Sequence, residues 1–285
     1  MQAIERVGVI GAGTMGNGIA QACAVAGIDV VMVGVADDAV ARGLATVQAS
    51  LGRLQKKDRI TAEAARAALA RVHGATDYAQ LEGAGLIVEA ATENLDLKLR
   101  ILRQADELAG GGSILASNTS SISITSLAAV VREPDRFLGM HFFNPVPMMA
   151  LVELIRGLQT SDRTIAAARG FAERLGKTPI VVKNSPGFVV NRILCPMINE
   201  AIFALQEGLA TAEDIDNGMR LGCNHPIGPL ALADMIGLDV MLAVMNVFYG
   251  DFNDPKYRPA PLLKEMVAAG YLGRKAGRGF YRYDT

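Results

Sequence analysis

The chain has 285 residues, enough for one large domain or two modest ones, with a sizeable buried core. Its 28 basic residues against 29 acidic ones leave a formal charge of −1, which gives no bulk electrostatic reason to expect nucleic acid or a membrane surface as partner. Three scattered cysteines, Cys23, Cys195 and Cys223, form no metal-ligand spacing and fit a reducing compartment. With strand pattern beginning by Ile4, no signal peptide is expected, and the reading is a soluble cytoplasmic protein without a metal.

In chain order, RVGVI (6–10) reads as a buried parallel strand, and residues 14–26 as a helix of small and apolar side chains able to lie close to a sheet. IDVVMV (28–33) is a second strand. Helices follow at 37–57 and 61–71, the latter with first-turn capping chemistry from Thr61 and Glu63. GLIVEA (85–90) is a strand, 95–108 a helix and SILASN (113–118) a strand. RFLGMHFF (136–143), ALVELI (150–155) and PIVVK (179–183) finish the sheet, with a helix at 162–175. This alternation predicts an α/β fold: an open, mostly parallel sheet with helices on both faces.

The character changes at Asn184-Ser185-Pro186-Gly187. Helical stretches then recur at 187–207, 211–220, 229–249 and 260–269, and strand pattern returns only at GFYRY (279–283). A Rossmann-like nucleotide-binding domain over 1–184 and a smaller all-α domain over 185–285 are therefore expected. The apolar stretch 229–249, with Met235, Met241 and Met245, suits either a subunit interface or plain core packing. Asp234 and Asp239 interrupt it and argue against a membrane span.

Gly11-Ala12-Gly13-Thr14-Met15-Gly16 follows the first strand and opens a helix, the spacing that turns backbone N–H groups toward a pyrophosphate. A bare pattern of this kind also occurs in ordinary glycine turns; the flanking strand and small-residue helix favour the nucleotide. The second strand of such a site ends in Asp or Glu, which binds the ribose hydroxyls of NAD. Here Gly34 stands at that place. Losing the carboxylate costs NAD binding about 1.5–3 kcal/mol, and it removes repulsion against a 2′-phosphate, so NADP becomes admissible. No arginine follows directly: Val35, Ala36, Asp37 and Asp38 come next. Asp37 either reaches back to the ribose or, like Asp38, serves as a helix cap.

The stretch MHFFNPVPMMALVE (140–153) carries the other signal. His141 precedes two aromatics and an Asn-Pro-x-Pro turn, and Glu153 follows twelve positions later. A lone histidine in such a turn is more often a core residue. Beside a nucleotide site, a His/Glu pair is the minimum equipment for moving a hydride and a proton together.

Taken in order, VGVIGAGTMGNGIA, EAATEN, ASNTSS, GMHFFNPVP, LVELI, KNSPGFVVNR and GRKAGRGFY resemble the L-3-hydroxyacyl-CoA dehydrogenase family over essentially the whole length, most of all its stand-alone bacterial 3-hydroxybutyryl-CoA branch. The resemblance implies NAD as cofactor, an acyl-CoA thioester as substrate, and a homodimer through the helical domain. It makes His141 the general acid/base and Glu153 its orienting carboxylate. Ser117 and Asn191 are implied to hydrogen-bond the substrate oxygen and the histidine surroundings, in a cleft between the domains. Implied cofactor contacts are the loop residues Gly11, Gly13, Thr14, Met15 and Gly16, the Gly34 position, and Glu93, Lys98, Ser117, Asn144 and Lys275. Ser50 and Lys57 correspond to CoA contacts, with Arg53, Lys56 and Arg59 beside them able to meet its phosphates.

Taken singly, each residue has a plainer reading: Glu153 as a surface strand residue, Ser117 as a turn cap, Asn191 as a satisfied helix polar group, the basic cluster as a solvated helix face. Two rival functions stand beside the main one. A dehydrogenase of a small free hydroxy acid would rely on a lysine or an arginine clamp, and the His/Glu pair speaks against it. A catalytically silent structural protein of the same fold would not need His141, Glu153, Ser117 and Asn191 together. The Gly34 reading predicts that Gly34→Asp improves NADH affinity and worsens NADPH use; unchanged kcat/KM for both cofactors would contradict it.

Overall fold

The structure, a computed structural model, describes residues 4–283. The chain forms two compact units that part after Ser185. The first is built on eight strands: β1 (Arg6–Ile10), β2 (Asp29–Val33), β3 (Val72–Ala75), β4 (Leu86–Glu89), β5 (Ile114–Ser117), β6 (Phe137–Phe142), β7 (Leu151–Arg156) and β8 (Thr178–Lys183). Their spatial order is β3-β2-β1-β4-β5-β6-β7-β8. Neighbours pair in parallel except β6 and β7, which run antiparallel. β1 lies between β2 and β4, so the strand order reverses there and a crevice opens at the carboxyl ends, the place where open α/β sheets bind ligands.

The helices of this unit are α1 (Thr14–Val25), α2 (Asp37–Lys56), α3 (Ala62–Ala70), α4 (Leu95–Leu108), α5 (Ile124–Ala128) and α6 (Asp162–Arg174). Alternate strand residues divide between the two faces. Val7, Val9, Val30, Met32, Val88, Met140 and Leu154 share one core with Ile19, Val47 and Phe171 from α1, α2 and α6. On the other face, Gly8 lies against Leu81 and Gly139 against Ile124 of α5. Burial on both sides explains why the strands read as unbroken apolar runs rather than alternating ones. Each fully buried Val, Leu, Ile or Phe contributes roughly 1.5–3 kcal/mol of transfer free energy. Polar caps set the helix starts: Thr61, Asn94 and Ser161 accept from the backbone N–H three residues on.

The second unit is helical: α7 (Val190–Gln206), α8 (Ala212–Gly222), α9 (Pro229–Ile236), α10 (Leu238–Phe252) and α11 (Pro261–Ala268). Ile198, Ile202, Leu230, Phe248 and Leu263 form its core. Two buried aspartates tie its loops. Asp216 accepts from the N–H groups of Leu230 and Ala231 and from the Tyr281 hydroxyl. Asp234 accepts from the N–H groups of Phe280 and Tyr281 and from the Tyr283 hydroxyl. Among the described residues no single helix is long and apolar enough to cross a membrane.

Two expectations need correction, and an alternative left open is decided in part. The single helix over 229–249 is two, because Gly237 adopts φ +104° and the chain bends by 98° there. Met241 and Met245 are fully buried in the core of their own unit, and only Met235 is exposed, so two of the three methionines serve packing. GFYRY is no strand: it makes one isolated bridge, Arg278 to Arg282, and is held by Asp234 instead. β3 and α5 went unpredicted, β3 because VHGA buries only its first residue and shows no alternation.

Candidate active site

At the carboxyl end of β1 the glycine loop is dictated by close approach. Gly11 has φ +116°, and a Cβ there would stand 2.6 Å from the Ala90 carbonyl oxygen. A Cβ on Gly16 would stand 1.7 Å from the Gly11 oxygen, so α1 lies directly on the turn. Gly13 is different: nothing lies within 4 Å of where its Cβ would be. It is the N-cap of α1 and supplies no side-chain cap, so the helix presents unsatisfied N–H groups to open space. Thr14 is exposed and Met15 packs partly into the core. A groove of about 400 Å³ runs from this loop past Val35, Ala39, Arg42 and Thr46. Open helix end, bare glycine and groove fit the phosphates and adenosine of a dinucleotide.

Gly34 directly follows β2 and is buried, its N–H donating to the Ala75 carbonyl at 2.9 Å. A Cβ there would stand 2.7 Å from Val40 Cγ2. An aspartate at this position therefore has to displace a stiff valine, an overpacking that costs about 1–3 kcal/mol. Asp37 and Asp38 start α2 without lining the groove. Asp37 accepts from the Thr76 hydroxyl at 3.5 Å. Asp38 accepts from Arg42 at 2.6 Å, and that hydrogen bond holds its carboxyl below the ordinary range. Arg42 does line the groove. Searching only the residues directly after Gly34 misses it. The helical spacing of Ala39, Arg42, Gly43 and Thr46 on one face of α2 is the signal that finds it.

His141 and Glu153 are direct partners in the antiparallel register of β6 and β7. Such partners hold their Cβ atoms ~4.5–5.5 Å apart, and here Nδ1 lies 2.7 Å from Glu153 Oε2. His141 is 7% exposed and Glu153 is completely buried. The imidazole also packs on Phe143, ring centroids 4.5 Å apart. Asn118 Oδ1 accepts from the Phe142 N–H at 2.8 Å, tying the end of β5 to β6. The connection from β6 to β7, in which Asn144 is exposed, is pinned by Lys177, whose Nζ donates to the carbonyls of Val146 and Met149 at 2.6 and 2.8 Å.

Ile10, Glu89, Ser117 and Gly139 form one row across β1, β4, β5 and β6. Glu89 and Ser117 are fully enclosed, and Lys98 from α4 is 1% exposed. Lys98 Nζ donates to Glu89 and, at 3.2 Å, to Ser117 Oγ; the Ser117 hydroxyl donates to Glu89 Oε2 at 2.8 Å. Lys98, expected to touch the cofactor, is thus enclosed against a counter-ion that the sequence reading did not single out. A carboxylate in a strand buried at every position was the available signal. Glu93 accepts from the Thr119 hydroxyl and from the N–H and hydroxyl of Ser120, and lies 3.8 Å from Lys98 Nζ.

Ser50 is half-buried on α2, Lys57 exposed at its C-cap, and Arg53, Lys56 and Arg59 are exposed around them. In the second unit, Asn191 stands in the first turn of α7. Lys275 Nζ sits on both carboxylate oxygens of Asp239 at 2.6 and 2.7 Å, which holds the Asp239 carboxyl low. Burial pushes the Cys23 and Cys195 thiols up to about 12, which makes them poor nucleophiles. Among the described residues no group of three or more His, Cys, Asp or Glu side chains is placed to hold a metal.

Removing one member of the buried Glu89–Lys98 pair strands a charge in a dry site. Lys98→Met is expected to cost about 3–5 kcal/mol in urea unfolding, with Glu89→Gln in the same chain recovering much of it. An unchanged unfolding midpoint in Lys98→Met would contradict this.

The comparisons with known proteins agree over both units. Residues 6–185 match the family described as 3-hydroxyacyl-CoA dehydrogenase, NAD binding domain, and residues 187–283 the corresponding C-terminal domain. The crystal structure of (S)-3-hydroxybutyryl-CoA dehydrogenase from Ralstonia eutropha superposes with a TM-score of 0.98 at 67% identity, over 99% of this chain and 100% of that one. The 3-hydroxybutyryl-CoA dehydrogenases of Bradyrhizobium diazoefficiens and Clostridioides difficile are 50% and 47% identical, over 98% of this chain and 96% and 99% of theirs.

Proposed function

The chain belongs to the 3-hydroxyacyl-CoA dehydrogenase family, and on that premise we propose that it interconverts (S)-3-hydroxybutyryl-CoA and acetoacetyl-CoA. NAD is the cofactor of this reading, with NADP admitted by Gly34. The observation that carries it is the 2.7 Å contact of His141 with Glu153, at the same end of the sheet as the glycine loop. When bound, the nicotinamide supplies hydride transfer to or from C3 of the acyl chain.

The protein's own part is the proton. Glu153 accepts at Nδ1, so the neutral ring carries its hydrogen there, and Nε2 is the nitrogen assigned to the substrate oxygen. In the oxidising direction Nε2 takes the hydroxyl proton; in the reducing direction it returns one to the ketone oxygen. The buried carboxylate stabilises the imidazolium formed in between, as in a hydrolase triad. Positioned acid/base chemistry of this kind contributes typically 10²–10⁴-fold. Ser117, enclosed with its hydroxyl donating to Glu89, supports the site by holding that carboxylate beside Lys98, and its contact with the substrate oxygen rests on the family resemblance alone. Asn144, Ser50, Lys57, Asn191 and Lys275 keep the substrate and cofactor roles that the family resemblance implies. The reading also includes a homodimer formed through the helical unit and residence in the cytoplasm.

With acetoacetyl-CoA and NADH followed by absorbance, His141→Gln is expected to lose at least about 10²-fold in kcat with an unchanged circular dichroism spectrum. Turnover near wild type in that variant would remove His141 from the mechanism.

A further inference from the structure

We infer that Gly34 and Arg42 form a subsite for a phosphate on the adenosine ribose, so that the groove beside the glycine loop takes NADP(H) as well as NAD(H); this rests on the dehydrogenase reading above. Gly34 leaves no carboxylate at the end of β2, and neither Asp37 nor Asp38 lines the groove. The repulsion that excludes a 2′-phosphate in NAD-specific sites is therefore missing.

The attraction comes from α2. That helix lies against the glycine loop: a Cβ on Gly43 would stand 2.9 Å from the Ala12 oxygen. This close approach brings Arg42, one residue earlier, to the rim of the groove. Its guanidinium is held 2.6 Å from Asp38, but both side chains are mostly exposed, 71% and 69%. An exposed ion pair of this kind is weak and screened. A phosphomonoester carries nearly two charges and matches the planar guanidinium fork bidentately, so it competes well for Arg42. Val35, 93% exposed in the same groove, offers the adenine an apolar contact. Asp38 is the opposing charge, since its carboxylate stays within one helical turn of Arg42.

The same chemistry is present in CoA, whose adenosine carries a 3′-phosphate, and the test separates the two. Calorimetric titration of the full chain with ADP, 2′,5′-ADP and 3′,5′-ADP at low salt reads the subsite without turnover. The expected result is a preference of about tenfold for 2′,5′-ADP over ADP, the scale of one charge-assisted contact. Arg42→Ala is expected to abolish that preference, Arg42→Lys to keep part of it, and Asp38→Asn to raise it. In turnover, the NADPH-to-NADH ratio of kcat/KM is expected to fall in Arg42→Ala. Equal affinity for ADP and 2′,5′-ADP, a preference undiminished in Arg42→Ala, or a preference for 3′,5′-ADP would each overturn the inference alone. Failure of ADP itself to bind would overturn the dehydrogenase reading with it.

Discussion

The antiparallel register of β6 against β7 is the constraint on which the site depends. It sets His141 opposite Glu153, and nothing else in the sheet would bring a histidine and a carboxylate twelve residues apart into contact. Side chains alternate between faces with period two, so a slip of one residue would carry Glu153 to the opposite face. Val152 and Leu154 prevent that slip, because both are buried in the core on the opposite face. The His141–Glu153 contact is thus secured by ordinary hydrophobic burial one residue to either side. Asn118 and Lys177 fix what remains, the end of β6 and the connection that returns as β7.

The two faces of the sheet are not equivalent chemically. Val88, Ala116, Met140 and Leu154 on one face make an apolar core with α1, α2 and α6. Glu89, Ser117 and His141 stand on the other, at or next to the carboxyl ends of their strands, with Glu153 in the first half of the antiparallel β7, and all are buried. Charges placed in so dry a setting act over short distances with little screening. The pairing of Glu89 with Lys98 is the condition for tolerating them, since an unpartnered buried carboxylate would cost several kcal/mol, on the order of the whole margin of stability.

Much of this was legible in the residues. Apolar runs such as GLIVEA and SILASN announced parallel strands buried on both faces, and GAGTMG following RVGVI announced the loop. The His141–Glu153 pair was legible as two residue types, whereas their contact was implied only by the family resemblance: spacing along a chain does not reveal that two strands run antiparallel. Glu89 was hidden inside an apolar strand pattern, and nothing in the amphipathic pattern of α4 marks Lys98, implied as a cofactor contact, as a buried counter-ion. Arg42 escaped because its relation to Gly34 runs through the packing of α2, not through sequence neighbourhood. The break at Gly237 escaped because apolar periodicity continues across it while the backbone turns to φ +104°.

The central claim is that Glu153 decides which ring nitrogen of His141 carries the proton. Nitrogen-15 NMR of histidine-labelled protein at alkaline pH reads this directly, with only His73 and His225 to assign besides. The account predicts the Nδ1–H tautomer for the neutral His141 ring. A spectrum showing the Nε2–H tautomer there would contradict it.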